Sequence, residues 1–451
     1  MNAERTTSRH AVVPPHTVVV GLGKTGLSVV RYLRARGGTV SVTDTRAAPP
    51  ALAALNRLAP EVNVRTGGLD ERLLNGADAI VVSPGIAARG TFFDAARARG
   101  LPVVGDIERF ARAACAPVVG ITGTNGKSTV TTLVGGMAQR AGRRVRVGGN
   151  LGEPALELLD PAAELYVLEL SSYQLDTTES LTLQAAAVLN VTPDHLDRYG
   201  TLAEYAASKA RIFRRCGTAV VNADDRAVAA MGALAARQLK FSLDPRSGAH
   251  YTLQVRDGRD WLARGAEPLL AVAELRVAGR HNAANALAAL ALGEALELPR
   301  AAMLAELRAF PGLPHRAEWV ADVAGVRYIN DSKGTNVGAT LAAVSGLDGP
   351  LLLIAGGDGK GQDFAPLAAA LRGKVRLALL IGRDARALGA AIGDSCEVRY
   401  CESLEQAVRT AAQGARSGDT VLLSPACASL DMFSDYAQRG AVFAAAVRGL
   451  G

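Results

Sequence analysis

Short apolar runs alternate with helical patterns along almost the whole chain, and this alternation restricts the fold more than any other feature. The stretch TVVVGLGKTGLSVVRYLRARGGTVSVTD (residues 17–44) begins the pattern with a strand, a glycine turn, a helix and a second strand. Strands that alternate with helices in this way predict parallel sheets covered by helices on both faces. We therefore expect an α/β protein.

The alternation restarts twice, and a chain of 451 residues is too long for one hydrophobic core. The second segment opens with APVVGITGTNGKSTVTTLVGG and continues through the apolar runs ELYVLEL, AAAVLN and TAVVNAD. The third follows FPGLPHR and contains VRYIN, LLLIAGG, VRLALLIG and TVLLSPA. We predict three α/β domains: a Rossmann-like domain over 1–108, a P-loop ATPase-like parallel-sheet domain over 109–312 and a Rossmann-like domain over 313–451.

Composition argues against several classes of protein. The 49% hydrophobic content is ordinary for a folded chain, and only 4% is aromatic, which disfavours stacking platforms for single-stranded nucleic acid. The net charge of +7 is dispersed rather than gathered into a basic arm, so we expect anionic small molecules and no nucleic acid as partners.

The chain also lacks signals for export or membrane insertion. Its start, MNAERTTSRHAVVPPH, is polar and contains prolines, unlike a signal peptide, and no apolar stretch reaches the roughly 18 residues of a membrane span. Five cysteines without a C-x-x-C pair suit reduced thiols. We expect a monomeric, cytoplasmic protein without membrane insertion.

A first glycine loop follows the first strand. Gly21, Gly23 and Gly26 form G-x-G-x-x-G, and Asp44 ends the next strand. By itself this pattern is typical of a dinucleotide site, with the carboxylate on a ribose hydroxyl, and favours an NAD-dependent oxidoreductase. Helix-terminal amides also bind other nucleotide diphosphates, and a tight turn without a ligand is a third interpretation.

A second glycine loop, GITGTNGKST (120–129), ends like a phosphate-binding loop, although the first glycine of G-x-x-x-x-G-K-[ST] is replaced by Ile121. Lys127 can contact terminal phosphates, and Ser128 can bind Mg²⁺. Gly123 and Gly126 let backbone amides approach the phosphate. A strand before the loop and a helix after it supply the expected context.

Two further side chains follow neighbouring strands of the same segment. Glu169 lies in the apolar run LYVLELSS, where a carboxylate needs a cationic partner such as Mg²⁺. His195 follows AAAVLN in VTPDHLDRYG. Because ligands of parallel sheets bind at the carboxyl ends of strands, we expect both residues to lie near Lys127.

Lys209 lies on the apolar stripe of a predicted helix that starts with a capping box of Thr201 and Glu204. The stripe consists of Leu202, Tyr205, Ala206, Ile212 and Phe213. Such a lysine commonly extends to solvent along its aliphatic stem. If it stays buried, the neutral amine is favoured and can react with CO₂ to give a carbamate, an anionic ligand for a metal.

Taken together, these motifs resemble the Mur ligases of peptidoglycan synthesis, whose phosphate loop has the form GTNGKST, so Ile121 is no defect. The resemblance covers nearly the whole chain, and its motifs occur in the family's order: GLGKTGLS, SPGI, GGNLG, LELSSYQL, NVTPDHLDRYG, GRHNAANALAAL, GLPHR, NDSKGTN, GGDGK and LSPACASLDMF. The later motifs are similar to those of the D-glutamate-adding branch. The resemblance implies an ATP-dependent amide ligase that forms an acyl phosphate on UDP-N-acetylmuramoyl-L-alanine, with two Mg²⁺ ions.

The resemblance also assigns residues. It implies catalytic roles for Lys127, Glu169, His195 and Lys209, with Mg²⁺ held by Ser128, Glu169, His195 and Lys209 as N6-carboxylysine. ATP would contact Gly123, Thr124, Asn125, Gly126, Lys127, Ser128, Thr129, Asn282, Asn285, Arg316 and Asp331. The UDP substrate would contact Lys24, Thr25, Asp44, Thr45, Arg46, Gly85 and Asn150. Glutamate would contact Lys333, Thr335, Lys360, Ser429, Leu430 and Tyr436.

The sequence departs from the family pattern at three places: Tyr436 replaces an expected phenylalanine, Gly334 a common alanine, and Lys24 a residue that is often apolar. An L-glutamate-adding relative remains an alternative because the nucleotide chemistry would be shared. An NAD-dependent oxidoreductase would leave the second loop, Glu169, His195 and Lys209 unexplained. A protein that only binds its ligands is disfavoured because both halves of a metal–ATP site are intact.

Overall fold

The computed structural model describes residues 15–450 except 233–234, 278 and 348. Three parallel-cored sheets follow one another along the chain, which confirms the predicted α/β class. Most of the N-terminal stretch predicted not to be a signal peptide lies outside the described residues. Among those that are described, no helix is both long and apolar enough to cross a bilayer.

The first sheet has five parallel strands in the order β3-β2-β1-β4-β5. Strand β1 is buried on both faces because helices cover both sides of the sheet. Its elements are β1 (His16–Val20), α1 (Lys24–Arg34), β2 (Thr39–Asp44), α2 (Leu52–Leu58), β3 (Asn63–Thr66), β4 (Ala79–Val82), α3 (Thr91–Ala98), β5 (Val103–Gly105) and α4 (Asp106–Ala113).

The second sheet has nine strands in the order β14-β13-β12-β11-β10-β9-β6-β8-β7. Its elements are β6 (Val118–Thr122), α5 (Lys127–Arg140), β7 (Val145–Gly149), β8 (Leu165–Glu169), α6 (Ser172–Asp176), β9 (Leu183–Val188), α7 (Leu196–Tyr199), α8 (Leu202–Ala210), β10 (Cys216–Asn222), α9 (Arg226–Met231), β11 (Arg237–Ser242), β12 (Tyr251–Arg256), β13 (Arg259–Arg264), β14 (Glu267–Ala271), α10 (Arg280–Ala295) and α11 (Arg300–Ala309). Helices α5 and α10 pack together on one face, where the small side chains of the alanine-rich α10 allow close approach. Helix α4 covers the other face, where Phe110 meets Tyr166 edge-on at 5.1 Å.

The third sheet has six strands in the order β15-β16-β20-β17-β18-β19. Its elements are β15 (Glu318–Val323), β16 (Val326–Asn330), α12 (Val337–Gly346), β17 (Leu351–Gly356), α13 (Ala365–Leu371), β18 (Val375–Ile381), α14 (Ala385–Ile392), β19 (Glu397–Tyr400), α15 (Leu404–Gly414), β20 (Thr420–Leu423) and α16 (Tyr436–Arg448). The central strands β17 and β18 are almost wholly buried between two helical layers.

Antiparallel strands extend two of the parallel sheets. The chain reverses between β12, β13 and β14 at one edge of the second sheet, and β15 pairs antiparallel with β16 in the third. The sequence interpretation did not include these strands. Their half-polar composition lacks the continuous apolar run of a central parallel strand.

One predicted domain limit lies inside a helix, and the other lies in an irregular segment. The limit between 108 and 109 lies inside α4, so the chain passes from the first sheet to the second through a continuous helix. The limit between 312 and 313 lies in the irregular segment between α11 and β15. The three domain ranges stay predictions.

Candidate functional site

Three functional stretches lie together at the carboxyl ends of neighbouring strands of the second sheet. The phosphate loop (residues 123–129) follows β6, Glu169 ends β8 and His195 follows β9, and β8 and β9 flank β6 in the sheet. Parallel strands carry their carboxyl ends to one edge, which is why residues far apart in the chain lie together here. Ile121, the non-glycine position of the loop pattern, is a fully buried residue of β6.

Glycines shape the phosphate loop where it enters α5. Gly126 caps the helix in the left-handed region with φ of 82°, and a Cβ at this position would overlap Asn285 Oδ1. Lys127 folds back over the loop, with Nζ donating to the carbonyls of Gly123 (2.9 Å) and Thr124 (2.7 Å). The loop is therefore a preformed cradle at a helix N-terminus, the kind of site that binds phosphate.

Glu169 is the centre of a buried polar network. Its carboxylate accepts from Ser128 Oγ at 2.6 Å and from Asn150 Nδ2 at 2.6 Å, and Arg316 of the third segment donates to the same Ser128 oxygen at 2.7 Å. Burial acts to raise the pKa of Glu169, but the charge of Lys127 and the two hydrogen bonds hold that pKa below its ordinary value. Glu169 is therefore an anion among cations, as an oxygen ligand for a metal should be.

Lys209 is buried with only 1% of its surface exposed, so it does not extend to solvent. Its Nζ donates to Gly123 O at 2.9 Å and lies 4.3 Å from the centre of the Tyr205 ring. Burial, and next the charge of Lys127, push the pKa of the Lys209 ammonium well below its ordinary value.

The two lysines compete for one oxygen. Lys127 Nζ and Lys209 Nζ each lie 2.9 Å from the carbonyl oxygen of Gly123. Two ammonium groups at such a site repel each other, and the more deeply buried one loses its proton more easily. Burial and the neighbouring charge of Lys127 therefore both favour the neutral amine form of Lys209 beside the phosphate loop.

His195 has a left-handed backbone with φ of 56° and caps the short helix α7. Its Nδ1 lies 2.7 Å from the hydroxyl of Tyr173, and its Nε2 lies 3.7 Å from Asp194 Oδ2. Burial, together with the charges of Lys360 and Lys127, lowers the pKa of His195, although Asp194 acts in the opposite direction. The ring is therefore neutral at pH 7.

A single cavity, here called the inter-domain cavity, collects residues of the second and third segments. The predicted catalytic side chains Lys127, Glu169, His195 and Lys209 line it. So do Asn150 and all six side chains predicted for glutamate: Lys333, Thr335, Lys360, Ser429, Leu430 and Tyr436. Most of these six are at least partly buried, whereas Leu430 is 73% exposed at the mouth.

Lys333 is held by an aromatic ring inside the inter-domain cavity. Its Nζ lies 3.7 Å from the centre of the Tyr436 ring. Burial, together with the charges of Arg316 and Lys127, lowers the pKa of Lys333 to about 8. The group stays mostly cationic at neutral pH and can bind an anionic ligand.

A second cavity, the α10 cavity, lies beside the N-terminal end of α10. It is lined by Asn125, Gly126 and Thr129 of the phosphate loop and by the predicted ATP residues Asn282, Asn285, Arg316 and Asp331. Asn285 Nδ2 donates to Asn282 Oδ1 at 3.3 Å, and burial raises the pKa of Asp331 to about 6. This cavity continues from the phosphate loop, as a nucleoside site would.

A third cavity, the N-terminal cavity, is lined by all the residues predicted for the UDP substrate: Lys24, Thr25, Asp44, Thr45, Arg46, Gly85 and Asn150. The Asp44 carboxylate is fully buried and already accepts from the backbone N–H of Leu22 (2.7 Å) and from the Arg46 guanidinium (2.7 and 2.9 Å). Both carboxylate oxygens of Asp44 are therefore in use, so a ribose hydroxyl of any nucleotide would have to displace one of these donors to bind Asp44. Lys24 Nζ donates to Gly152 O at 2.6 Å.

Asn150 belongs to both the N-terminal cavity and the inter-domain cavity. Its amide donates to Glu169, and its backbone N–H donates to the Glu169 carbonyl at 2.9 Å. A substrate that spans the two cavities would therefore pass this amide.

The helix around Lys209 differs from its prediction in two respects. Thr201 caps α8 by accepting from the Glu204 backbone N–H, but the helix ends at Ala210, and Ile212 and Phe213 lie in a following 3₁₀ turn. Leu202, predicted on the buried stripe, is 39% exposed because the first turn of α8 lies outside the core.

Sequence reasoning missed several residues of the inter-domain cavity, among them Asp194, Tyr173 and Asn336. Asp194 directly precedes His195, and Tyr173 follows Glu169 in the motif LELSSYQL. Their positions shortly after the ends of β9 and β8 were the available signal in the sequence. Asn336 caps α12 and exchanges side-chain hydrogen bonds with Asn125 at 3.3 Å. Within the described part of the chain, no group of three or more His, Cys, Asp or Glu side chains has the arrangement of a metal site.

Comparison with protein families covers most of the chain. Residues 15–105 match the Mur ligase MurD-like N-terminal domain, 121–293 the Mur ligase middle domain, and 315–427 the Mur ligase glutamate ligase domain.

Similar proteins of known name agree with this. The chain is 55% identical over 435 residues to a UDP-N-acetylmuramoylalanine–D-glutamate ligase of Nitrosococcus oceani, covering 96% of each chain. It is 52% identical to the protein of the same name from Pseudomonas syringae, covering 95% of this chain and 97% of the other. Among solved structures, the UDP-N-acetylmuramate–alanine ligase of Thermotoga maritima has a similar fold, with a TM-score of 0.64, 17% identity and coverage of 97% and 100%.

Proposed function

The chain belongs to the Mur ligase family, and we propose that it is an ATP-dependent ligase that adds D-glutamate to UDP-N-acetylmuramoyl-L-alanine. The reaction would serve peptidoglycan precursor synthesis in the cytoplasm. One observation supports this more than any other: the phosphate loop and the six third-segment side chains predicted for glutamate line the same cavity. A ligase needs its phosphoryl donor and its amine within reach of one carboxylate.

The chemistry follows from the poor reactivity of a carboxylate. An oxygen of the substrate's alanine carboxylate attacks the γ-phosphorus of ATP, and the bond between that phosphorus and the β–γ bridging oxygen breaks to release ADP. The glutamate amine then attacks the acyl carbon, the C–N bond forms, and the C–O bond to phosphate breaks. The amine proton leaves to solvent.

Lys127 and the phosphate loop would hold the ATP phosphates. Lys127 already points into the loop through its bonds to Gly123 and Thr124, so a phosphate can replace carbonyl partners without moving the backbone. The α10 cavity would take the adenosine, with Asn282, Asn285, Arg316 and Asp331 around it.

The N-terminal cavity would bind the UDP part of the substrate. Arg46, fixed by its two bonds to Asp44, presents a preorganised cation at the edge of this cavity. Asn150 would contact the muramoyl part where the two cavities adjoin.

The side chains fit Mg²⁺ in part as they stand. The Ser128 hydroxyl and the Glu169 carboxylate are oxygen donors of the type that Mg²⁺ prefers, and they already lie 2.6 Å apart. His195 with Lys209 would hold a second ion only if Lys209 carried an anionic oxygen. Bound there, Mg²⁺ would neutralise charge that develops on the phosphoryl oxygens.

Carbamylation of Lys209 would supply that oxygen. The neutral Nζ attacks the carbon of CO₂, one carbonyl electron pair moves to oxygen, and Nζ releases a proton to solvent. Burial and the neighbouring Lys127 favour the neutral amine that this step requires. The product, N6-carboxylysine, places an anion next to the cation of Lys127.

Glutamate would enter between the third segment and the phosphate loop. Lys333 and Lys360 supply positive charge for its carboxylates, Thr335 and Ser429 supply hydroxyls, and Leu430 and Tyr436 lie beside them.

The test is ATP-dependent release of phosphate by the purified protein with UDP-N-acetylmuramoyl-L-alanine, Mg²⁺ and either enantiomer of glutamate. Release with D-glutamate and not with L-glutamate is expected. Release with L-glutamate alone would reassign the chain to an L-glutamate-adding activity, and release with neither would overturn the ligase proposal. Calorimetry of the whole protein with UDP and with NAD gives an independent check, and tighter binding of NAD would favour the oxidoreductase alternative.

A further inference from the structure

The hydroxyl of Tyr173 makes a short contact with His195 that no residue assignment above uses. We infer that Tyr173 is a positioning residue, which turns Nε2 of His195 into the inter-domain cavity by a hydrogen bond to Nδ1. The inference concerns the same site. Only the expected effect on the Mg²⁺ dependence of ligation rests on the proposed ligase function.

The geometry determines which ring nitrogen faces the cavity. The Tyr173 oxygen lies 2.7 Å from His195 Nδ1, and the two rings meet edge-on at 5.0 Å with an interplanar angle of 63°. Nε2 is the opposite nitrogen of the same ring and lies 3.7 Å from Asp194, a residue of the cavity wall. With Nδ1 held by Tyr173, a half-turn of the ring would break its 2.7 Å hydrogen bond.

A phenol suits this position because it both donates and accepts. It can donate to Nδ1 when the ring proton is on Nε2, and it can accept from Nδ1–H when the lone pair of Nε2 is needed for a cation. The partner stays a neutral phenol at physiological pH because burial raises the pKa of Tyr173. Either tautomer of His195 thus keeps the same ring orientation.

Tyr173 is itself held from two directions. The Arg198 guanidinium carbon lies 4.2 Å from the centre of the Tyr173 ring, while its nitrogens reach the carbonyls of Pro84 (3.3 Å) and Ile86 (3.5 Å) in the wall of the N-terminal cavity. The ring of Tyr199 stacks on Tyr173 at 5.9 Å. The hydroxyl of Tyr173 therefore has little freedom to leave His195.

The experiment compares Tyr173→Phe with Tyr199→Phe in the full-length protein. Each variant removes one hydroxyl from the same aromatic stack, but the Tyr199 hydroxyl donates to Asp176 at 2.8 Å, whereas the hydroxyl on His195 Nδ1 is that of Tyr173. The first measurement is a two-bond ¹H–¹⁵N spectrum of histidine-labelled protein without ligands, with His195→Gln to identify the ring. The second is the Mg²⁺ concentration for half-maximal ligation.

We expect Tyr173→Phe to move the Nδ1 and Nε2 shifts of His195 and to raise the half-maximal Mg²⁺ concentration about 10-fold, because outer partners of metal ligands typically have effects of this size. Tyr199→Phe should leave both values as in the wild type. Unchanged His195 shifts in Tyr173→Phe, or equal shifts in both variants, would overturn the inference. The spectrum does not depend on ligation, so a protein that fails to ligate still tests it.

Discussion

Asp106 begins α4 with a carboxyl group that is 1% exposed and poorly partnered. One oxygen accepts from Gln174 Nε2 at 3.3 Å, and the other, Oδ1, has no hydrogen-bond partner among the described residues. Burial raises the pKa of Asp106 from its ordinary value of 3.8 to about 6. We expect Asp106→Asn, which keeps the volume and the acceptor but removes the ionisation, to stabilise the protein at neutral pH.

The size of the effect follows from the pKa. Because the folded state binds this proton more tightly than the unfolded state, stability is greatest below about pH 4 and falls as the pH rises to about 6. Above that range the loss is about 3 kcal/mol for a shift from 3.8 to about 6. At pH 5 roughly half of this loss is already present, so the variant should gain about 1 to 2 kcal/mol on the wild type between pH 5 and pH 8.

Urea unfolding of both proteins at pH 5 and pH 8, at equal ionic strength, measures this difference. The matched control is Asp94→Asn in the same segment, whose carboxylate is 70% exposed and paired with Arg97. Its stability relative to the wild type should change little between the two pH values. Parallel pH profiles for the wild type and Asp106→Asn would refute the reasoning, because the carboxyl would then ionise as easily in the folded as in the unfolded chain.

Substitutions at three further residues test the site and its support. Lys127→Ala should lower kcat/KM at least about 10³-fold with an unchanged melting temperature, because the lysine is proposed to bind the ATP phosphates and donates to loop carbonyls rather than packing in the core; near-normal turnover would contradict the assignment of this loop. Lys209→Ala should be nearly inactive but partly restored by acetate or formate, whereas Lys209→Arg should be inactive with or without them, since a guanidinium cannot carry a carbamate; an active arginine variant would contradict the carbamate. Arg439→Lys should destabilise the protein by about 2 kcal/mol and raise the KM for glutamate, because the buried guanidinium donates to Ser332 Oγ, Ser332 O and Cys427 O and one ammonium cannot reach all three. Melting curves and glutamate titrations check this last expectation, and it fails if both match the wild type.

The parallel cores and the clustering of the site were accessible from the sequence because both follow from short-range patterns. Apolar runs such as LLLIAGG predict buried strands, and parallel strands bring their carboxyl ends together wherever they lie in the chain. This is why the sequence predicts that Lys127, Glu169 and His195 lie side by side. The place of Lys209 on a helix face also followed from the sequence, but its burial did not, because a lysine on such a face commonly extends to solvent.

Other features depend on contacts between distant segments that carry no local signature. The antiparallel strands β12 to β14 and β15 have mixed polarity and pair only because a sheet edge is available. Leu202 lies on the predicted helix face, yet the first turn of α8 projects beyond the core. The partners of Asp106 and Arg439 lie 68 and 107 residues away, so neither burial could be read from neighbouring residues.

The contacts between the second and third segments have a consequence for how ligands should be compared. Asn125 and Asn336 form a neutral amide pair, worth about 1 kcal/mol by the usual net value of such bonds. Arg316 donates a hydrogen bond to the Ser128 hydroxyl, which is proposed to bind Mg²⁺ at the ATP phosphates. A nucleotide that binds Ser128 must first break the hydrogen bond between Arg316 and Ser128. Its measured binding free energy is therefore smaller than the energy of its own contacts by the energy of that hydrogen bond. A compound that occupies only the amino-acid end of the cavity leaves the bond in place. Its measured affinity is therefore not reduced by the cost of breaking that bond.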